Sequence, residues 1–181
     1  MLLYMRNQTA IRQQELWTRK VFMPFIQECY GDEWNISSGR VTDNYDIRAT
    51  NHRKNVMVLV EIKQWSQIPE NYRNLIIKEE KVLKMWHAGQ TMFVPDEGIN
   101  MKVKLAYLVF HTGNTSAYIV SLDGADERFE KYDLKQPVCE YDSNPEYKYY
   151  PTYFIPVEQF HKADIKPYLD LFGYNRNQIK H

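Results

Sequence analysis

The segment Val56-Met57-Val58-Leu59-Val60-Glu61-Ile62-Lys63 constrains this chain more than any other. An unbroken apolar run from Val56 to Val60 is what a strand buried on both faces requires, whereas a half-exposed strand alternates. Yet the run ends in a carboxylate and an ammonium group. Fifteen residues before Glu61, the stretch Tyr45-Asp46-Ile47-Arg48 sets another carboxylate inside a second apolar segment. Burying charge is costly unless the charges pair or bind a metal. The spacing predicts two adjacent strands, joined by the polar loop Asn51-His52-Arg53-Lys54-Asn55, that bring Asp46, Glu61 and Lys63 to one point.

Strand geometry sharpens this. Glu61 and Lys63 share one face while Ile62 points the other way into the core, and Asp46 and Arg48 likewise share a face. Two carboxylates held together repel and have raised pKa values unless a cation lies between them. Hard oxygen ligands of this kind suit Mg²⁺ or Mn²⁺. Such a cation activates a phosphate oxygen and water, with Lys63 placed to position the water or stabilise developing charge. The plainer alternative is a solvated strand end or a structural ion pair, since a Glu-x-Lys tripeptide arises readily by chance. The continuous apolar run and the second carboxylate at hairpin distance favour the functional reading.

Composition bounds the rest. A chain of 181 residues with 44% hydrophobic and 25% charged residues fits one soluble globular domain with a real core. The expectation is a single unit over residues 1–181, with a motif-bearing core over about 10–123 and a C-terminal strand, helix and tail over 124–181. No apolar run approaches the length that crosses a bilayer, and the first residues are too short for a secretory signal, so a cytoplasmic protein with no membrane partner is expected. Cys29 and Cys139 have no CxxC spacing and the histidines form no HExxH pattern, so zinc is not indicated. The formal net charge is zero. That argues mildly against a passive nucleic-acid-binding protein but not against a nuclease, whose site carboxylates offset its basic residues.

Periodicity predicts a helix over Gln8–Tyr30, with Ile11, Leu16, Val21, Phe22, Phe25 and Ile26 on its apolar face, Thr9 as N-cap, Pro24 kinking it or starting a new turn, and Gly31 as stop. Strands follow at Trp34–Arg40, Asn44–Thr50 and Val56–Lys63. A second helix is expected over Glu70–Ala88, with Leu75, Ile76, Val82, Leu83 and Trp86 facing inward. Val103–Phe110 and Ala117–Leu122 read as strands around a turn at residues 111–114. Gln136–Pro151 reads as an ordered loop, Thr152–Val157 as a short strand, Ala163–Phe172 as a final helix and Gly173 onward as a polar tail. The order predicts an α/β fold with a sheet flanked by helices.

With these elements in place, Asn44-Tyr45-Asp46-Ile47 and Glu61-Ile62-Lys63 resemble the motif of the PD-(D/E)XK, or restriction-endonuclease-like, nuclease superfamily. In that family the metal-binding Asp opens the second strand and the (D/E)xK triplet ends the third. The proline that often precedes the Asp is replaced here by Tyr45. Glu15-Leu16-Trp17-Thr18-Arg19 resembles the ExxTR segment that opens several such domains. The resemblance covers about residues 10–90. It implies a mixed central sheet flanked by helices, a metal held by Asp46, Glu61 and the backbone carbonyl of Ile62, a catalytic Lys63, and Glu15 as the helix carboxylate, with Glu28 as its rival. Gln67 and Tyr72 lie near where some subfamilies carry a Gln and a Tyr, but at the wrong spacing.

The function this implies is a Mg²⁺- or Mn²⁺-dependent endonuclease acting on nucleic acid, with DNA favoured, in restriction, defence or repair. Specificity would come from a homodimer, a protein partner or DNA structure. Arg48, His52, Arg53 and Lys54, expected near the site, and Arg73, Lys78, Lys81 and Lys84, expected on the second helix, are candidate phosphate contacts. A solvated charged face is the equal alternative. The tyrosines of 141–153 could stack bases or simply pack a loop. Two other functions stay open: a catalytically inactive module on the same fold, and an unrelated interaction module with a structural ion pair.

Overall fold

The computed structural model describes residues 2–40, 43–65, 69–91, 101–111, 115–138 and 146–171, without the side chains of residues 2–12, 14 and 15. The helix α1 (Leu2–Tyr30) precedes the strands β1 (Asn35–Ser38), β2 (Ile47–Asn51) and β3 (Val56–Trp65). A 3-10 turn (Pro69–Asn71), β4 (Asn74–Lys78) and the helix α2 (Glu79–Thr91) follow. Next come β5 (Lys102–His111), β6 (Ser116–Ser121), a helical turn α3 (Ala125–Arg128), β7 (Glu130–Pro137) and β8 (Tyr147–Pro156). A 3-10 turn (Val157–Gln159), β9 (His161–Asp164) and α4 (Lys166–Leu171) end the described chain.

Six strands form a mixed sheet in the order β1-β2-β3-β5-β6-β9, and β4-β8-β7 form a second, antiparallel sheet. β3 pairs β2 antiparallel and β5 parallel, so it is central as its apolar run requires. Its two faces feed two cores. Met57 and Leu59 pack with Leu75, Met85, Val103, Tyr107 and Ile155 beneath α2 and the second sheet. Val58, Val60 and Ile62 pack with Phe22, Ile26, Ile47, Leu108 and Ile165 beneath α1 and α4. The expected fold class, a mixed central sheet flanked by helices, is the one observed.

The hairpin between β2 and β3 is closed by local bonds. The Lys54 N–H donates to Asn51 Oδ1 at 2.9 Å, and Asn55 takes the left-handed conformation with φ 51°. Gly31 ends α1 as expected, with φ 91° and its N–H on Gln27 O at 2.7 Å.

Several boundaries differ from expectation. The first helix starts at Leu2, so Thr9 is interior and not a cap, and Pro24 lies inside the helix. Leu16 is exposed rather than inward. The expected second helix is half strand: Leu75 and Ile77 pair with Ile155 and Tyr153 of β8, and this remote pairing overrides local helical periodicity. On α2, Val82, Met85 and Gly89 face inward, while Leu83 and Trp86 face solvent. The expected loop at Gln136–Pro151 carries the ends of β7 and β8, with residues 139–145 outside the described chain. The expected final helix begins with β9. Residues 112–114 of the expected turn and the tail from 172 lie outside the described residues. No described helix is long and apolar enough to cross a membrane.

Candidate active site

The β2–β3 ladder ends at Ile47↔Val60. Asp46 stands just ahead of β2 rather than within it, and its backbone still joins the sheet. Its N–H donates to Val60 O at 2.9 Å, and its carbonyl accepts from the Gly39 N–H at 2.7 Å. Its side chain then takes over from the ladder: Oδ2 accepts the Ile62 N–H at 2.8 Å. In a strand the N–H and C=O of one residue face the same neighbour, so the Ile62 carbonyl faces the same edge, past the last β2 pair.

Arg19 reaches Asp46 from α1. Its Nε and Nη2 donate to Oδ1 at 3.0 and 2.9 Å, and its Nη1 donates to Gly39 O at 2.6 Å. The arginine side chain is 6% exposed and that of Asp46 17%. A glycine is needed at position 39, where a Cβ would stand 2.4 Å from the Tyr45 carbonyl oxygen.

Glu61 lies on β3, on the face opposite Ile62. Burial pushes its carboxyl up to about 8, and the nearby Asp46 charge pushes in the same direction. Lys81, from the first turn of α2, opposes the rise with its Nζ 2.9 Å from Glu61 Oε2. The contact is an ion pair made inside the protein, on an Oε2 that is shut off from solvent. Two residues on, Lys63 is half-buried on the same face of β3, beside Val109 of β5.

Asp46 and Glu61 are therefore brought together, with Lys63 next along the strand. Glu15 lies on α1 one turn before Arg19, but its side chain is outside the described residues. Glu28 is nine residues beyond Arg19, about 13 Å along the helix axis, and its carboxylate accepts from the Tyr168 hydroxyl. Tyr72 packs edge-on against Trp65 at 5.0 Å, and Gln67 lies outside the described residues. Arg48 sits on β2 two residues from Asp46 and donates to Ser37 Oγ at 3.3 Å. His52, Arg53 and Lys54 are not near this point: they form the turn at the opposite end of β3, where Lys54 pairs with Glu33. Strand geometry separates that turn from Glu61 by roughly 17 Å.

Arg19 and Lys81 are the site residues that sequence reasoning passed over. Arg19 closes the ExxTR segment, and Lys81 stands among the lysines weighed as phosphate contacts. The partner of each lies far along the chain, so neither pairing has a local signal.

No family model matches the chain, and no curated protein matches it. Among solved structures, it is similar to Hjc, a Holliday junction resolvase from Archaeoglobus fulgidus. The TM-score is 0.40 at 10% identity, over 83% of this chain and 90% of that one. At that level the likeness bears on neither activity nor substrate. In the chain's own geometry Asp46 immediately precedes β2, Glu61-Ile62-Lys63 lies in the second half of β3, and α1 packs on the sheet beside them.

Among the described residues no three His, Cys, Asp or Glu side chains gather as a metal cluster. The test of a cation site therefore rests on two carboxylates. They fit one: Glu61 is buried and its carboxyl is raised first by that burial and then by the adjacent Asp46, its Oε2 meets only a lysine ammonium that a cation could displace, and Asp46 Oδ2 has a further lone pair beside the Ile62 N–H. Two carboxylates and a backbone carbonyl leave room for the waters and phosphate oxygens that Mg²⁺ keeps.

Proposed function

We propose that this chain is a divalent-metal-dependent endonuclease that hydrolyses phosphodiester bonds of DNA. The observation that carries the reading is the juxtaposition of Asp46 and Glu61 at the end of β2, with Glu61 raised to about 8 by burial and by the Asp46 charge beside it. A pair like this is costly in a metal-free protein and useful in a metal site. Asp46, Glu61 and the Ile62 carbonyl would hold Mg²⁺ or Mn²⁺. When bound, such a cation supplies Lewis acidity to a phosphate oxygen and lowers the pKa of water.

The chain's own groups supply the rest. Lys63 orients the attacking water and stabilises charge developing on the phosphate oxygens. Arg19 fixes the rotamer of Asp46, and Glu15 completes the acidic set from α1. Water adds at phosphorus in line with the departing ester oxygen, which leaves with a proton. The protein acts as one domain over residues 1–181, in the cytoplasm, where the free thiol of Cys29 suits a reducing compartment. A homodimer or a protein partner sets specificity.

A second reading has one observation in its favour. Asp46 and Glu61 each already meet a resident cation, Arg19 and Lys81. A nuclease-like module that binds nucleic acid without cutting it would be built this way. Incubating supercoiled plasmid and single-stranded DNA with Mg²⁺ or Mn²⁺ separates the two. The endonuclease reading expects nicking by the wild type that is lost in Lys63→Ala and Asp46→Ala. Absence of cleavage, with no Mn²⁺-induced rise in melting temperature, would establish the inactive module instead.

A further inference from the structure

β7 and β8 outrun the sheet they belong to. β4 pairs with β8 from Asn74↔Pro156 only as far as Lys78↔Thr152. β7 and β8 stay paired beyond that point, from Asp133↔Pro151 to Pro137↔Tyr147, and the Val138 N–H still donates to Glu146 O at 2.7 Å. The extension is a two-stranded arm, and a lone two-stranded ribbon has little hydrophobic support of its own. It nevertheless displays large rings: Tyr147 is 53% exposed and Tyr149 69%.

Strand alternation puts Tyr147 and Tyr149 on the face that carries Tyr153 and Ile155, which are buried beside α2. Lys135 lies directly across from Tyr149, with its ammonium 5.7 Å from the Tyr147 ring centre. Among the described residues no carboxylate pairs with Lys135. Lys78, the last residue of β4, reaches onto the opposite face of the arm: its Nζ lies 4.3 Å from the Tyr150 ring centre and donates to Pro137 O, at the arm's far end, at 3.5 Å.

The root of the arm is tied to the start of α2, the helix that carries Lys81. The Tyr153 hydroxyl donates to Asp126 Oδ1 at 2.8 Å, and Lys131 bridges Asp126 to Glu79, the first residue of α2. Lys81, two residues further on, meets Glu61. Tyr149 stands four residues along β8 from Tyr153, about 13 Å further out.

We propose that this arm grips an unpaired stretch of DNA, with Tyr147 and Tyr149 stacking on bases and Lys135 meeting a phosphate. The proposal rests on the endonuclease reading, for which the arm would present a strand to the Asp46–Glu61 site. Aromatic faces accept any unstacked base, and an ammonium beside them complements the backbone charge. A duplex hides the base faces that these rings would use.

The test is fluorescence anisotropy of a short labelled oligothymidylate in EDTA, where no cutting occurs. The double variant Tyr147→Ala/Tyr149→Ala is expected to bind at least tenfold more weakly, as when two stacked bases lose their platforms. Lys135→Ala should lower the slope of log affinity against log salt by about 0.7. Tyr132→Ala, on the opposite face, should change neither, and circular dichroism should show all variants folded. Unchanged affinity in the double variant, or no binding by the wild type, overturns the proposal. So does a strong preference for oligouridylate, or a changed oligomeric state with DNA affinity intact. Arm-dependent binding by a protein that cuts nothing with Mg²⁺ or Mn²⁺ upholds the arm and sinks the nuclease reading. Metal-dependent cleavage by a protein whose DNA affinity ignores the arm does the reverse.

Discussion

Arg19 sets two of its nitrogens on one oxygen of Asp46, leaving the other oxygen to the Ile62 N–H. The first strand pair past the end of β2 is thus completed by a side chain, and that side chain is fixed by a helix on the far side of the core. A mostly buried guanidinium–carboxylate contact is hard to replace by halves, because deleting one partner strands the other.

Arg19→Met should therefore destabilise the protein by about 3–5 kcal/mol in urea unfolding, because Asp46 is left charged and largely buried. Adding Asp46→Asn to that variant should recover much of the loss. If the single variant unfolds at the wild-type midpoint, the contact contributes little to stability.

Glu61 gives the metal-free protein a pH dependence of definite sign. Its folded-state carboxyl is raised from 4.5 to about 8. The folded form therefore holds a proton that the unfolded chain releases. The stabilisation this provides is complete below about pH 4.5 and is lost as pH rises through about 8. The interval, with the opposing pull of Lys81 already in it, corresponds to at most about 5 kcal/mol. Urea midpoints without metal should fall between pH 5 and 8, and Glu61→Gln should flatten that slope. Adding Mg²⁺ at pH 8 should restore stability to the wild type but not to Glu61→Gln.

The parts of the fold legible in the sequence are those whose cause is local. β3 is buried on both faces, so it writes itself as a continuous apolar run, and its central place follows. The β2–β3 hairpin is signalled by five polar residues between apolar segments, and it carries Asp46 to Glu61. β4 is illegible for the opposite reason: Leu75-Ile76-Ile77 suits a helix as well as a strand, and its partner Ile155 lies eighty residues on. The arm was hidden by prolines that usually mark loops, yet Pro151 sits within β8 opposite Asp133. Arg19 and Lys81 illustrate the same limit at the site. Their residue types are visible, but their partners are set by how α1 and α2 lie on the sheet.

The register of α2 can be checked by stability. Met85 is fully buried, whereas Trp86 is 43% exposed. Met85→Ala should cost about 2–5 kcal/mol in chemical unfolding. Trp86→Ala, which removes a larger side chain, should stay within about 0.5 kcal/mol because it leaves no cavity. The reverse order would mean that α2 is rotated on its axis and that Lys81 does not face Glu61.

The division of labour within the site predicts a split between binding and turnover. Asp46 and Glu61 are proposed to hold the cation, whereas Lys63 acts on water and phosphate without holding metal. Lys63→Ala should keep the Mn²⁺-induced rise in melting temperature and the Mn²⁺ affinity measured by calorimetry. It should lose at least about a hundredfold in plasmid nicking, the scale seen when one preorganised charge-stabilising group is removed. Asp46→Ala and Glu61→Ala should lose both metal response and cleavage. If Lys63→Ala abolishes Mn²⁺ binding as well, the lysine is part of the structure that forms the carboxylate pair. If it nicks plasmid at the wild-type rate, another group handles the water, and Lys81, already beside Glu61, becomes the residue to replace.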